Sequence, residues 1–138
     1  MADPPRPMVR TPMPLLQPPE LAWSAEAADE LAASAGGRSL LIDYFATHCC
    51  GRNVAVGDLT VRWATGGQDP GPAWLRLADH APVQVWLRRS LVPLFAAAGP
   101  RIDMRGRGPF RHPAVELADP AAWIDFLAAC PTRSVFTA

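Results

Sequence analysis

The chain has 138 residues, 49% of them apolar and 19% charged, the composition of one globular domain whose core needs no covalent staples. Thirteen basic and thirteen acidic residues cancel, so no net field draws the protein to nucleic acid or anionic lipid, and neither partner is expected. Every basic residue is an arginine, which excludes Schiff-base and lysine-nucleophile chemistry.

Residues 1–22 hold seven of the sixteen prolines. Such a stretch supports neither helix nor sheet ladder and favours extended, polyproline-like backbone. It reads as a disordered tail or, through Met8, Val9, Met13, Leu15 and Leu16, as an arm lying on a neighbouring subunit. It has no continuous apolar stretch of the kind a signal peptide carries.

A single domain is expected over residues 23–138. It opens with "WSAEAADELAASAGG", where Ser24 is a helix N-cap, Glu26 lies in the acidic first turn and Gly36-Gly37 supply the stop. Ala27, Ala28, Leu31 and Ala35 recur at helical spacing. "RSLLIDYFAT" (38–47) reads as a buried strand. In "NVAVGDLTVRWA" (53–64) the apolar residues alternate on either side of Gly57-Asp58, which is expected to form a turn or bulge. A loop, "GGQDPGP", precedes two short strands, "AWLRLAD" and "PVQVWLR". Ser90 is expected to cap a short helix, "LVPLFAAA", with Pro93 in its first turn and Gly99-Pro100 at its end. "RIDMR" reads as a strand, "GRGPFRHP" as a loop and "AVEL" as the last strand. Asp119 as N-cap, Pro120 at the first helical position and Pro131 as a stop frame a final helix, "AAWIDFLAAC".

Helices at both ends with short strands between them, and few long crossovers, predict an α+β domain with a mainly antiparallel or mixed sheet. No apolar stretch approaches the ~18–20 residues a membrane helix needs, so a cytoplasmic protein is expected.

The chemistry-bearing segment is "FATHCCGRNVAVGD", with His48, Cys49 and Cys50 just after the first strand. Gly51 and the polar pair Arg52-Asn53 suggest that the chain has left the sheet there, where both sulfurs can project to one side. A disulfide between them is strained, because adjacent Cα atoms lie ~3.8 Å apart against a usual range of ~4.4–6.8 Å. Thiolates suit zinc, copper(I) or an iron–sulfur cluster, and a histidine adds a nitrogen ligand. His48, Cys49, Cys50 and His112 are the candidate metal ligands, with an iron–sulfur cluster or zinc as the candidate cofactor and a subunit interface as the place for missing ligands. Thiol redox chemistry is a second reading, needing a thiol acidified by Arg52 or His48. An ordinary turn is the third. Cys130 continues the stripe of Trp123, Phe126 and Leu127 and reads as core; His80 reads as a surface turn residue.

"RIDMRGRGPFRHP" places Arg105, Arg107 and Arg111 around two glycines and two prolines. Arginine binds carboxylate or phosphate in a fork, and glycine lets a ligand approach the backbone, so these three are candidates for an anionic ligand or an acidic partner surface. The alternative is a solvated loop balanced by Asp103 and Glu116.

The order of these motifs resembles a family of small bacterial proteins, often encoded near aldehyde dehydrogenases. They carry a double cysteine after the first core strand and a later Ile-Asp followed by a Gly-Arg-Gly-like segment. More loosely, it is similar to the HesB-like fold of A-type iron–sulfur carriers. Their pattern finds counterparts in Val83, Val85, Ser90, Leu91, Ile102, Asp103, Gly108 and Phe110, and His112-Pro113 stands where they have Asn-Pro. The carriers' terminal C-G-C is absent, so only the cysteine after the first strand carries over, to Cys49 and Cys50.

The expectation is a small metal- or iron–sulfur-binding accessory protein and homo-oligomer. The alternative is a non-catalytic subunit docking a partner enzyme through the Pro-rich arm and the Arg-rich loop. A thiol-dependent enzyme is a third possibility. No serine triad, paired carboxylates, phosphate loop or dinucleotide fingerprint offers another route to catalysis.

Overall fold

Ser24 opens the first helix as its sequence context requires: its Oγ accepts from the Ala27 N–H at 3.1 Å, and Glu26 stands in the first turn against the helix dipole. In the computed structural model, which describes residues 18–48, 55–65, 68–77 and 82–129, this helix, α1 (Ala25–Ser34), follows a two-residue strand, β1 (Ala22–Trp23). Gly36 and Gly37, at φ 54° and 79°, turn the chain out of α1 through backbone that L side chains adopt at a cost. It then enters β2 (Leu40–His48), β3 (Ala55–Trp63), β4 (Trp74–Arg76) and β5 (Val85–Arg88). After α2 (Val92–Ala98) come β6 (Pro100–Arg105), β7 (His112–Leu117) and α3 (Ala121–Ala129). The expected α+β class holds.

Two sheets form, in the orders β3-β2-β5-β4 and β1-β6-β7. Both are mixed: β2 with β5 and β1 with β6 are parallel, and the other three pairings are antiparallel. Alternation along β2 sends Leu40, Ile42, Tyr44 and Ala46 into the main core, with Val85 and Leu87 of β5 beside them. Ala27 and Leu31 of α1, Val92, Leu94, Phe95 and Ala98 of α2, Ile102 of β6 and Leu127 of α3 close this core from the other side. Tyr44 meets α3 through edge-to-face contacts with Phe126 and Trp123, at ring-centroid distances of 5.2 and 6.5 Å. Trp123 and Phe126 are partly buried against the core, which places the apolar stripe of the last helix where its spacing predicts.

Two expectations are corrected. Gly57-Asp58 is neither turn nor bulge: β3 runs through it in unbroken register with β2, Ala46 opposite Gly57 and Phe45 opposite Asp58. The glycine serves close approach, since a Cβ there would overlap the Phe45 carbonyl oxygen. Ser90 does not cap α2 with its side chain. It lies in a 3₁₀ turn, Arg89–Leu91, that runs directly into the helix, and Leu91 takes the N-cap position with no side-chain bond. Pro93 does occupy the first turn, and Gly99, at φ 62°, ends the helix.

Cys49, Cys50, His80, Cys130 and residues 1–17 of the arm lie outside the described residues. No helix among the described residues is long and apolar enough to cross a membrane.

Candidate functional site

The arginine segment forms the turn of the β6–β7 hairpin, and its cations are largely engaged. Arg105 pairs with Glu116 across the hairpin. Arg111 donates through Nε to both carboxylate oxygens of Glu30, at 2.8 and 3.0 Å, and its Nη2 pairs with Glu26. It also donates to the Gly106 carbonyl at 3.4 Å. Bonding to Glu30, with the Glu26 charge nearby, pushes the Arg111 guanidinium above its ordinary value. Arg111 therefore clamps the hairpin base to α1. Of the three candidate anion binders, Arg107 makes no ion pair with a described residue.

The turn itself is held by its backbone. Phe110 N–H donates to Arg107 O and Arg111 N–H to Gly108 O, both at 3.1 Å. Gly106 has φ 80°, and a Cβ there would overlap the Phe110 carbonyl oxygen. On this ordered turn Phe110 is 80% exposed. His112 Nδ1 lies 2.8 Å from the Phe110 carbonyl. A carbonyl only accepts, so Nδ1 carries the proton and a neutral ring keeps Nε2 as its acceptor.

Beside Arg111 runs a groove of about 360 Å³ lined by Glu30, Leu31, Ser34, Trp63, Met104 and Pro113. A smaller apolar notch of about 150 Å³ lies between Asp58 and Leu59 of β3, Val115 and Leu117 of β7, and Pro120 and Trp123. Together they set the direction of β7 against β3: Trp63 neighbours Pro113, and Leu59 neighbours Leu117, so the two run antiparallel.

That direction separates two expected ligands. His48 pairs with Ala55, eight residues along β3 from Trp63, or roughly 26 Å at ~3.3 Å per residue. His112 sits at the Trp63 end. One chain therefore does not bring His48 and His112 to a common ion, and the expected set of His48, Cys49, Cys50 and His112 is divided. Among the described residues, no three His, Cys, Asp or Glu side chains gather as a metal site.

The opposite face of the larger sheet holds a cluster that sequence reasoning missed. Leu41, Trp74 and Trp86 are buried there with Ala64 against them. Arg88 lies over the Trp74 ring, 4.2 Å from its centroid, and forks onto Asp43 through Nε at 3.1 Å and Nη2 at 3.0 Å. The buried Trp86 Nε1 has no hydrogen-bond partner among the described residues. The signal was the repeated tripeptide Trp-Leu-Arg, at 74–76 and 86–88. The antiparallel register sets each tryptophan opposite the other strand's arginine, Trp74 with Arg88 and Trp86 with Arg76.

No protein-family model matches the chain, and no curated protein does.

Proposed function

We propose that the protein is a non-catalytic accessory module that docks a partner through the turn of its β6–β7 hairpin. The observation that carries this reading is Phe110, 80% exposed on a turn that Arg111 clamps to α1 through Glu26 and Glu30. An aromatic side chain held in water by an ordered backbone loses little conformational freedom when a partner covers it. Arg107 beside it, which makes no ion pair with a described residue, supplies a cation, so an apolar pocket with an acidic rim on a partner enzyme complements the turn. The test is recovery of a partner by tagged protein from its native cells, compared with Phe110→Ser/Arg107→Glu. Loss of a specific partner in the double variant, with unchanged thermal unfolding, supports the proposal. Equal recovery by both proteins overturns it.

A second reading retains the cysteine pair as a metal or iron–sulfur site. It rests on the residue types, two thiols next to His48, and on the described β2–β3 pairing, which runs as far as His48 opposite Ala55 and so brings the chain directly up to the cysteine pair. With His112 at the far end of β3, further ligands come from elsewhere in the chain, such as Cys130, from a second copy or from outside. Kinship with the double-cysteine bacterial family and a HesB-like order of elements belong to this same proposal. Metal content and the absorbance spectrum of anaerobically isolated protein, against Cys49→Ser/Cys50→Ser, test it.

A further inference from the structure

Two features of the surface complement each other. The Phe110 turn carries an apolar ring, 80% exposed, beside Arg107, a cation with no ion pair among the described residues. The notch between β3, β7 and the start of α3 carries the converse. Leu59, Val115, Leu117, Pro120 and Trp123 form its apolar walls, with Asp58 beside them and no basic residue in the lining. Asp58 is exposed; its carboxylate accepts from the neighbouring Leu59 N–H and makes no ion pair among the described residues. Asp119, the residue before Pro120, adds a second exposed acid at the same end of β7.

Size agrees with charge. The notch holds about 150 Å³, the size of a cavity that takes one benzene, and the phenylalanine ring is a benzene-sized group. Its walls are set before a ring arrives. Trp123 stacks on Phe126 at 5.4 Å between centroids and meets Tyr44 edge-on at 6.5 Å. Leu59, Val115 and Leu117 are partly buried against the core. A ring entering beside Trp123 gains ring–ring contact as well as burial. The larger groove fits less well: its volume is about 360 Å³, and Arg111 in its lining repels Arg107.

The ring does not reach the notch of its own chain. Phe110 precedes β7, and Leu117 ends that strand, five residues after His112 or roughly 17 Å at ~3.3 Å per residue. Arg111 clamps the turn to α1 through Glu26 and Glu30. A second molecule is under no such restriction, since it can bring its turn to the notch from whichever direction the notch opens.

We propose that in the free protein Phe110 of one copy seats in the notch of a second copy, against Trp123, Leu59 and Leu117, and that Arg107 pairs with Asp58 across the contact. The inference rests on the reading of the turn as a docking element, and it gives that element a partner in the same chain type. Each copy has one turn and one notch. The contact therefore closes into a pair where a two-fold axis relates the copies, and otherwise continues head to tail.

The test is sedimentation velocity of the full-length protein over a range of concentrations, with circular dichroism to confirm that each variant is folded. The expected result is association that Phe110→Ser weakens by at least about tenfold. Arg107→Glu and Asp58→Arg each weaken it too, because each sets like charges together across the contact. Mixing these two variants in equal amounts restores association, since every contact between unlike copies again joins opposite charges. Recovery in the mixture, absent from either variant alone, marks Arg107 and Asp58 as partners. A protein that stays monomeric at its highest soluble concentration overturns the proposal; it leaves the turn free to dock another protein, which capture from native cells decides separately. Association undiminished in Phe110→Ser, or a mixture no stronger than its components, also overturns it.

Discussion

Ser24 and Asp103, 79 residues apart in sequence, are joined by a 2.8 Å hydrogen bond in which Ser24 Oγ donates to Asp103 Oδ1. The same Oγ accepts from the Ala27 N–H, so one hydroxyl caps α1 and ties it to β6. Asp103 Oδ1 also accepts from the Met104 N–H at 2.9 Å, and Arg101 approaches Oδ2 at 3.3 Å. The Ser24 bond first, then the Met104 bond and Arg101, hold the Asp103 carboxyl below its ordinary value of 3.8. A carboxylate whose folded value is depressed stabilises the fold above its unfolded value, and that contribution disappears as pH falls through the lower folded value. Asp103→Asn mimics the protonated acid. Wild type should therefore unfold at a higher temperature than Asp103→Asn at neutral pH, with the gap closing below about pH 4. A gap that persists unchanged at acid pH contradicts the assignment. Ser24→Ala, which removes the cap and one bond to Asp103, should cost about 1 kcal/mol in urea unfolding at neutral pH.

Arg88 and Asp43 form the least exposed ion pair described, with side chains 11% and 10% accessible. Taking both charges out of water is costly, and the forked geometry offsets that cost only while both partners are present. Arg88→Ala should destabilise by about 3 kcal/mol, because it removes the forked cation from a nearly buried carboxylate, whose Oδ1 still accepts from the Tyr44 N–H, and strips the cation from the Trp74 face. The urea midpoint, read with an unchanged slope, measures it. A loss under 1 kcal/mol would show that water reaches Asp43 and that the pair behaves as a surface contact.

Much of this architecture is legible in the residues, because it follows from local chemistry. The Ser24 cap, the Gly36-Gly37 exit and the position of Pro120 before α3 need only their immediate neighbours. Residues 38–47 declare a buried strand by their branched and aromatic content, although which of them face the main core, Leu40, Ile42, Tyr44 and Ala46, becomes clear only in the fold. Gly57 misled because a glycine required by a turn and one required by close approach look alike until the opposing strand is known, and here Phe45 supplies the reason. The Arg-rich loop misled differently. Its cations are visible in sequence, but Glu26 and Glu30, which occupy Arg111, come from α1 more than 80 residues earlier. Likewise, the distance between His48 and His112 depends on the direction of β7 along β3, a property of tertiary packing that no spacing encodes.

Gly106 and Gly108 both adopt positive φ, 80° and 56°, but their surroundings differ. At Gly108 a Cβ meets open space, whereas at Gly106 it overlaps the Phe110 carbonyl oxygen. Gly108→Ala should therefore cost only the backbone strain, about 1 kcal/mol. Gly106→Ala should cost more and distort the turn that carries Phe110. Phe110→Ser touches no core and should leave stability within about 0.5 kcal/mol. If the turn is the docking element, partner affinity falls in both Gly106→Ala and Phe110→Ser, although only the glycine variant is destabilised. Undiminished affinity in Phe110→Ser would remove the ring from the interface.

His112 provides a way to separate two forms of the metal reading. Its Nδ1–H is committed to the Phe110 carbonyl, which leaves Nε2 as an exposed donor atom of the kind metals bind. Yet it stands roughly 26 Å of strand from His48, at ~3.3 Å per residue. A site built on Cys49 and Cys50 within one chain cannot include it, so His112→Ala should leave metal content per chain unchanged while Cys49→Ser/Cys50→Ser reduces it to background. A site shared between copies that draws on His112 behaves otherwise: His112→Ala lowers both the metal content and the fraction of oligomer, and the two fall together. Elemental analysis and sedimentation on the same anaerobic preparation read both quantities. Metal at background in the wild-type protein, prepared from metal-replete cells, eliminates both forms and leaves the cysteine pair as part of the β2–β3 connection alone.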